Sequence, residues 1–524
     1  MEFERHFTRR DLEELFDERF SLPEDFLFGV ANAAFQVEGG LNGQGEPLND
    51  WVELERSGKV ATSGEATRFW TEYPEELELA SGMGLNAFRL GIEWARVQPE
   101  TSVRREKVPA FDQGAIEAYS DMMAAVMKAG MEPMVTLLHF THPFWLGLDF
   151  WLDNAKLPFF ERYVEEVTVR INTLLVEKHG LRPVKYWITL NEPNALAPLT
   201  YLAGYMPHRK KGLGCTRLAW SNMVDAHCRA YDTVHRVYRE NGWDRPWVTY
   251  NTIHLATYEM DKFFTDLLNA RQNGIEERNL PAYIAIGREM WKQEIARCPK
   301  AWLAGGISQN LERLINRLVK RSFKLEHYKA GIDALYASPE PRKLDFLAVD
   351  YYDPFLGNMI KAPTLQDIRE KRFNFNTEHW EWVLNPRAMY HFLKGETING
   401  KGLPVMIVEN GMCYKVFGGR VEARSDGATR DRFLQSYLFE AMRAVKDGIP
   451  LKGYLYWSMV DNYEWGSYDP RFGLFTVDRS RSPAKRSPVD AWGVNASKVY
   501  GELIAALRSG DRERMVEAFL KDNW

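Results

Sequence analysis

Eight short apolar runs, each closing on polar or ionisable residues, constrain this chain more than any other feature of it. They are DFLFGVA (25–31), AFRLGIEW (87–94), EPMVTLLH (132–139), YWITLNEP (186–193), PWVTYNTI (246–253), KLDFLAVDYY (343–352), PVMIVENG (404–411) and KGYLYWSMVD (452–461). Between them lie stretches such as DMMAAVMKAG (121–130) and RDRFLQSYLFEAMRAVKDG (430–448), which carry apolar residues at helical spacing and end in glycine. Near-continuous apolar strands alternating with helices imply a parallel sheet covered on both faces. Eight such units favour a closed barrel over an open doubly wound sheet, and no glycine-rich phosphate loop follows the first run. The expected architecture is α/β, a single (β/α)8 TIM barrel with extended βα loops over residues 1–524. It has a short N-terminal extension to about residue 22 and a helical segment, 254–342, between the fifth and sixth strands.

Other classes are excluded or disfavoured by simple chemistry. A net charge of −5, from 67 basic and 72 acidic residues, argues against a nucleic-acid partner. Cys215, Cys228, Cys298 and Cys413 lie far apart with no CxxC pair, so neither a zinc site nor a disulfide framework is expected. The charged N-terminus has no apolar signal region, and no run of 18 apolar residues exists to span a membrane. A cytoplasmic location is therefore expected, while oligomeric state stays open. Aromatic residues make up 13% of the chain, with 17 tryptophans. That fits a large core, and equally a protein that stacks rings on sugars.

In barrels of this kind the active site forms at the C-terminal ends of the strands. There this sequence places Glu93, His139, Asn191, Glu192, Tyr352, Glu409, Asn410 and Asp461. Glycoside hydrolysis needs two carboxyl groups flanking the scissile bond, and retaining enzymes hold them about 5–5.5 Å apart. Glu192 and Glu409, at the ends of the fourth and seventh strands, are the candidate pair; Glu93 is assigned to packing.

Seven segments in order, FLFGVANAAFQVEGG, FRLGIEWARVQP, TLLHFTHPFW, TLNEPN, DFLAVDYY, IVENG and YWSMVDNYEWGSYDPRFGLFTVD, resemble glycoside hydrolase family 1 along nearly the whole chain. The resemblance implies that Glu192 is the general acid/base and Glu409 the nucleophile. It implies that Arg89 and Tyr352 orient Glu409, that Asn191 binds the 2-hydroxyl, and that Gln36, His139, Glu464 and Trp465 hold the remaining hydroxyls over a Trp457 platform. Phe140 and Trp382 are candidates for the aglycone side. It also implies a small-molecule β-glycoside substrate, no cofactor and no metal. Glu464 and Trp465 at the sugar's C6 end point to an unphosphorylated sugar, since an ionised carboxylate repels a phosphate. Glucosides, galactosides and fucosides all stay open.

Three departures qualify the resemblance. The family's usual Asn-Tyr-Tyr is Asp350-Tyr351-Tyr352 here, and Asp350 is either protonated, paired with a base or turned away. The 254–342 segment, including an amphipathic basic stretch from 308, does not match the pattern well. The aromatic cluster FNFNTEHWEW (373–382) either builds an apolar aglycone site or packs over the barrel. Two alternatives remain: transfer of the glycosyl group to a sugar or lipid acceptor, and a non-catalytic sugar-binding relative.

Overall fold

The computed structural model describes residues 3–100, 108–255, 257–298, 320–321, 323–353, 358 and 378–522. Residues 308–319 of the amphipathic stretch and 373–377 of the aromatic cluster lie outside the described residues.

All eight apolar runs are strands of one parallel sheet: β1 (Leu27–Ala31), β2 (Ala87–Gly91), β3 (Glu132–Thr136), β4 (Tyr186–Ile188), β5 (Trp247–Thr249) with β6 (Asn251–Ile253), β7 (Leu347–Tyr351), β8 (Val405–Asn410) and β9 (Leu451–Trp457). The order is β5-β4-β3-β2-β1-β9-β8-β7-β6. Its two ends, β5 and β6, are halves of the fifth run joined at Tyr250. The first half pairs with β4 and the second with β7, so this run closes the barrel. Thr249 Oγ1 donates to the carbonyl oxygens of both Tyr250 and Phe346, at 3.0 and 2.7 Å, across the joint.

A helix follows each strand unit before the next: Phe69–Gly82, Gln113–Lys128, Leu157–Glu177, Leu213–Glu240, Lys329–Ala337, Pro386–Thr397, Arg430–Lys446 and Ala496–Ser509. Gln113–Lys128 shows why. Asp112 caps it by accepting from the Ala115 N–H at 3.0 Å, and Ile116, Tyr119, Met123 and Val126 bury one face at helical spacing. The described part of 254–342 is largely helical; Leu280–Ile295 packs on Pro386–Thr397 and Lys329–Ala337 on Leu213–Glu240. Among the described residues no helix is long and apolar enough to cross a membrane.

Inside the barrel, Leu27, Ala87, Met134, Ile188, Ala348, Met406, Val408 and Leu455 form an apolar plug. Two residues further along their strands, Ala87 leads to Arg89, Met134 to Thr136, Ala348 to Asp350 and Leu455 to Trp457, so the period-2 alternation aims these side chains into the mouth above the plug. β8 breaks the rule. Its register with β7 runs Val349 to Ile407 and then Asp350 to Glu409, which leaves Val408 as an extra residue. Met406 and Val408 both face the plug, and the irregularity re-aims Glu409 beside Asp350.

Candidate active site

The mouth opens into a cavity of about 380 Å³ lined by His139, Phe140, Asn191, Glu192, Tyr352, Glu409, Trp457, Glu464 and Trp465 among others. Arg89 lies beneath it, fully buried. Its Nη1 donates to Glu409 Oε1 at 2.6 Å, its Nη2 to Asn191 Oδ1 at 2.6 Å, and its Nε to Thr136 Oγ1 at 3.0 Å. Tyr352 Oη donates to the other Glu409 oxygen at 2.9 Å. Burial raises the Glu409 carboxyl above its ordinary value, and Arg89 and Tyr352 pull it back down.

Glu192 stands at the N-terminus of the short helix Pro193–Pro198, with Pro193 at its first position and φ 40° at Glu192 itself. That left-handed backbone is uncommon for glutamate, and Phe140 (φ 71°) and Trp465 (φ 42°) share it at the same mouth. Burial and the nearby Glu409 carboxylate push Glu192 up to about 8, against the pull of a hydrogen bond with Asp350 and of Arg89. Glu192, Asp350 and Glu409 each place an oxygen within 4.8 Å of the others. A metal ion could be ligated at such spacing, but here the guanidinium of Arg89 supplies the positive charge, 2.6 Å from Glu409 and 3.8 Å from Asp350.

At the far end of the cavity Gln36 Nε2 donates to Glu464 Oε2 and Asn462 Oδ1, both at 3.2 Å. Burial, with Glu409 and Glu192 nearby, pushes Glu464 up to about 8 although Trp457 and Gln36 hydrogen-bond to it. The His139 ring lies nearly parallel to Trp457 and Trp465, at 5.9 and 6.0 Å. Burial and the Arg89 charge hold His139 well below the usual histidine range, so the imidazole is neutral. Gln36 Oε1 and His139 Nδ1 are buried without a hydrogen-bond partner among the described residues.

The structure gathers Gln36, Arg89, His139, Asn191, Glu192, Tyr352, Glu409, Trp457, Glu464 and Trp465 around one mouth, and separates the two aglycone candidates. Phe140 packs on Trp465 and His139, at the Glu464 end. Trp382 packs edge-on against His379, whose ring also meets Phe472, and all three line the cavity. Of the polar strand-end residues, Asn410 and Asp461 turn away from the mouth, as does Glu93, which the sequence assigned to packing. Glu93 accepts from Thr141 Oγ1, Asn410 ties Tyr351 O to Tyr454 Oη, and Asp461 accepts from the Gly473 N–H. Their alternation or loop geometry points them between elements rather than into the cavity. Asn251, which the sequence reading passed over, donates to both Asn191 Oδ1 (2.8 Å) and Asp350. The signal was the one amide side chain inside PWVTYNTI, beside the break at Tyr250.

A parallel eight-unit barrel with a carboxyl pair at its C-terminal mouth defines the architecture of a barrel glycosidase. The chain belongs to glycosyl hydrolase family 1, whose model matches residues 18–267 and 312–505 and passes over part of the 254–342 segment. It is 26% identical over 491 residues to β-glucosidase A of Thermotoga maritima, covering 91% of this chain and 98% of that one. It is 29% identical over 483 residues to a 6-phospho-β-galactosidase of Clostridium acetobutylicum, covering 87% and 92%. The fold is similar to that of a β-glycosidase from Pyrococcus horikoshii, with a TM-score of 0.63 at 24% identity, covering 96% and 99%.

Proposed function

We propose that this family 1 glycosidase is a retaining enzyme that hydrolyses unphosphorylated β-D-glucosides, with galactosides and fucosides as further substrates. Glu409 is the nucleophile and Glu192 the general acid/base. The observation that carries this reading is the asymmetry of the pair. Glu409 is held by Arg89 at 2.6 Å and Tyr352 at 2.9 Å, while the proton of Glu192 persists to about 8. Two carboxyls pushed apart in this way divide into an attacking carboxylate and a proton donor. Water on the resulting glycosyl ester is then deprotonated by Glu192, once it has protonated the leaving oxygen.

Asn191 is the hydroxyl-binding partner nearest the reacting carbon; Gln36, His139, Glu464 and Trp465 hold the remaining hydroxyls above Trp457. The buried Gln36 Oε1 and His139 Nδ1, without protein partners among the described residues, support sugar binding at this end. A sugar phosphate fits it poorly. Glu464 keeps its proton to about 8, so the obstacle is a lack of cations rather than simple repulsion. Of the cationic residues lining the described cavity, Lys59 is exposed at the rim and Arg424 is paired with Asp426 at 2.8 Å. Elsewhere in the lining Leu199, Met206, Leu255, Trp380, Trp382 and Phe472 support an apolar aglycone, aryl, alkyl or lipid-like. The four free cysteines support a reducing, cytoplasmic setting.

Nitrophenyl β-glucoside, β-galactoside and their 6-phosphates, compared with Glu409→Gln as control, test the reading. Turnover of the glucoside that is lost in Glu409→Gln is expected. Preference for a 6-phosphate, or equal rates in both proteins, would refute it.

A further inference from the structure

Asp350 is a fully buried carboxyl with an incomplete set of donors. One oxygen accepts from Asn251 Nδ2. The other, Oδ1, receives no hydrogen bond from any described residue, and the Arg89 guanidinium, at 3.8 Å, is too far to donate to it. An ionised carboxylate in that position would leave a buried charge half-satisfied. Its carboxyl also shares a small space with those of Glu192 and Glu409, an oxygen of each lying within 4.8 Å of the others, and a hydrogen bond between the Asp350 and Glu192 carboxyls requires a proton on one of them. The surrounding charges agree. β2 brings Arg89, the end of β4 brings Glu192, β8 brings Glu409 and the residue two along from Asp350 is Tyr352. β6 contributes uncharged Asn251, and His254, at its end, turns its ring to Glu396 at 3.3 Å. One guanidinium thus faces three carboxyls.

We infer that Asp350 is a positioning residue that stays protonated while the enzyme works, donating a hydrogen bond to Glu192 and so fixing the acid/base for both halves of the reaction. The charge then balances: Arg89 neutralises Glu409, and the remaining two carboxyls hold protons until Glu192 gives its own to the leaving oxygen. As Glu192 becomes ionised, the Asp350 hydroxyl is the donor that stabilises it. Burial, Glu409 and Glu192 together raise the Asp350 carboxyl well above the carboxylate range, in the direction this role requires. An asparagine would offer the same neutral donor through its amide.

The inference rests on the proposed roles of Glu192 and Glu409, and its test separates the two. The pH dependence of kcat/KM is measured for the native enzyme, Asp350→Asn and Asp350→Ala on one aryl glucoside. Asp350→Asn is expected to leave both limbs in place, whatever the change in rate. Asp350→Ala is expected to move the alkaline limb up by roughly one unit, because ionised Glu192 loses a donor. A downward move of both limbs in Asp350→Asn would show that an ionised carboxylate had been removed, and would overturn the inference. So would an unmoved alkaline limb in Asp350→Ala. Should Asp350→Ala fail to fold, infrared difference spectra of the native enzyme and Asp350→Asn near neutral pH decide instead. Loss of a protonated-carboxyl carbonyl band is expected; loss of an ionised-carboxylate band overturns. If Glu192→Gln or Glu409→Gln keeps full activity, the role assignment fails, while the infrared result stands on its own.

Discussion

Arg89, with no exposed surface, donates 2.6 Å hydrogen bonds to Glu409 and to Asn191 from the two ends of one guanidinium. It therefore fixes the spacing between the proposed nucleophile and the proposed hydroxyl-binding amide. Because the donors of arginine form a rigid planar fork, lysine cannot serve both partners.

Arg89→Met is expected to lower kcat/KM by about 10²–10³, the usual cost of losing one fixed electrostatic partner. The acidic limb of the pH–rate profile should move upward, since the Arg89 charge pulls the Glu409 carboxyl down. Kinetics across pH check both, and an unmoved acidic limb would contradict the pairing.

Glu192→Gln separates proton donation from binding. With a poor leaving group the rate should fall by about 10²–10⁴, the range of general acid catalysis, and with a dinitrophenyl leaving group the first step should be nearly spared. In the native enzyme the alkaline limb should fall near the Glu192 value of about 8: below it the donor is protonated, above it activity declines. Burst kinetics on the two leaving groups provide the measurement.

Asn251→Ala removes a donor shared by Asn191 and Asp350. A drop of about tenfold in kcat/KM is expected, the worth of one buried hydrogen bond. If the activity is unchanged, Asn251 does not position either partner.

Trp382→Ala tests the apolar wall. For a large aryl glucoside, KM should rise by roughly ten- to a hundredfold, consistent with about 1.5–3 kcal/mol for a buried apolar side chain. For methyl glucoside it should not, because that aglycone does not reach the wall. Equal effects on both would place Trp382 elsewhere in function.

Stability carries its own pH signature. Burial raises Glu76 and Glu93 to about 7, and Glu192 and Glu464 to about 8. A folded carboxyl with a raised value binds protons that the unfolded chain has lost, so these groups favour the fold fully below about pH 4.5, the ordinary glutamate value. Their contribution is lost as pH rises through 7 and 8. Glu93→Gln should therefore flatten the fall in Tm between pH 6 and pH 8, by about a degree or two. Scanning calorimetry at the two pH values reads the difference.

Much of this was legible along the chain. Each of the eight runs is a barrel strand because short apolar segments bounded by helices leave a parallel sheet few other closures, and the strand ends carried His139, Asn191, Glu192, Tyr352 and Glu409 to one mouth. The mouth did not take Asn410 or Asp461, since terminal polarity says nothing about which way a side chain leaves the backbone. Phe140 went to the sugar end with Trp465 because its left-handed backbone, φ 71°, turns its ring toward His139.

The sequence by itself determined the barrel, the candidate pair and the presence of a third carboxyl, because periodicity and residue type are written locally. Only the tertiary structure decided how those groups face one another. The extra residue Val408 turns Glu409 inward, and the break at Tyr250 brings Asn251 against Asp350. Register between distant strands and the burial of each carboxyl are properties of packing, and they set where the protons reside.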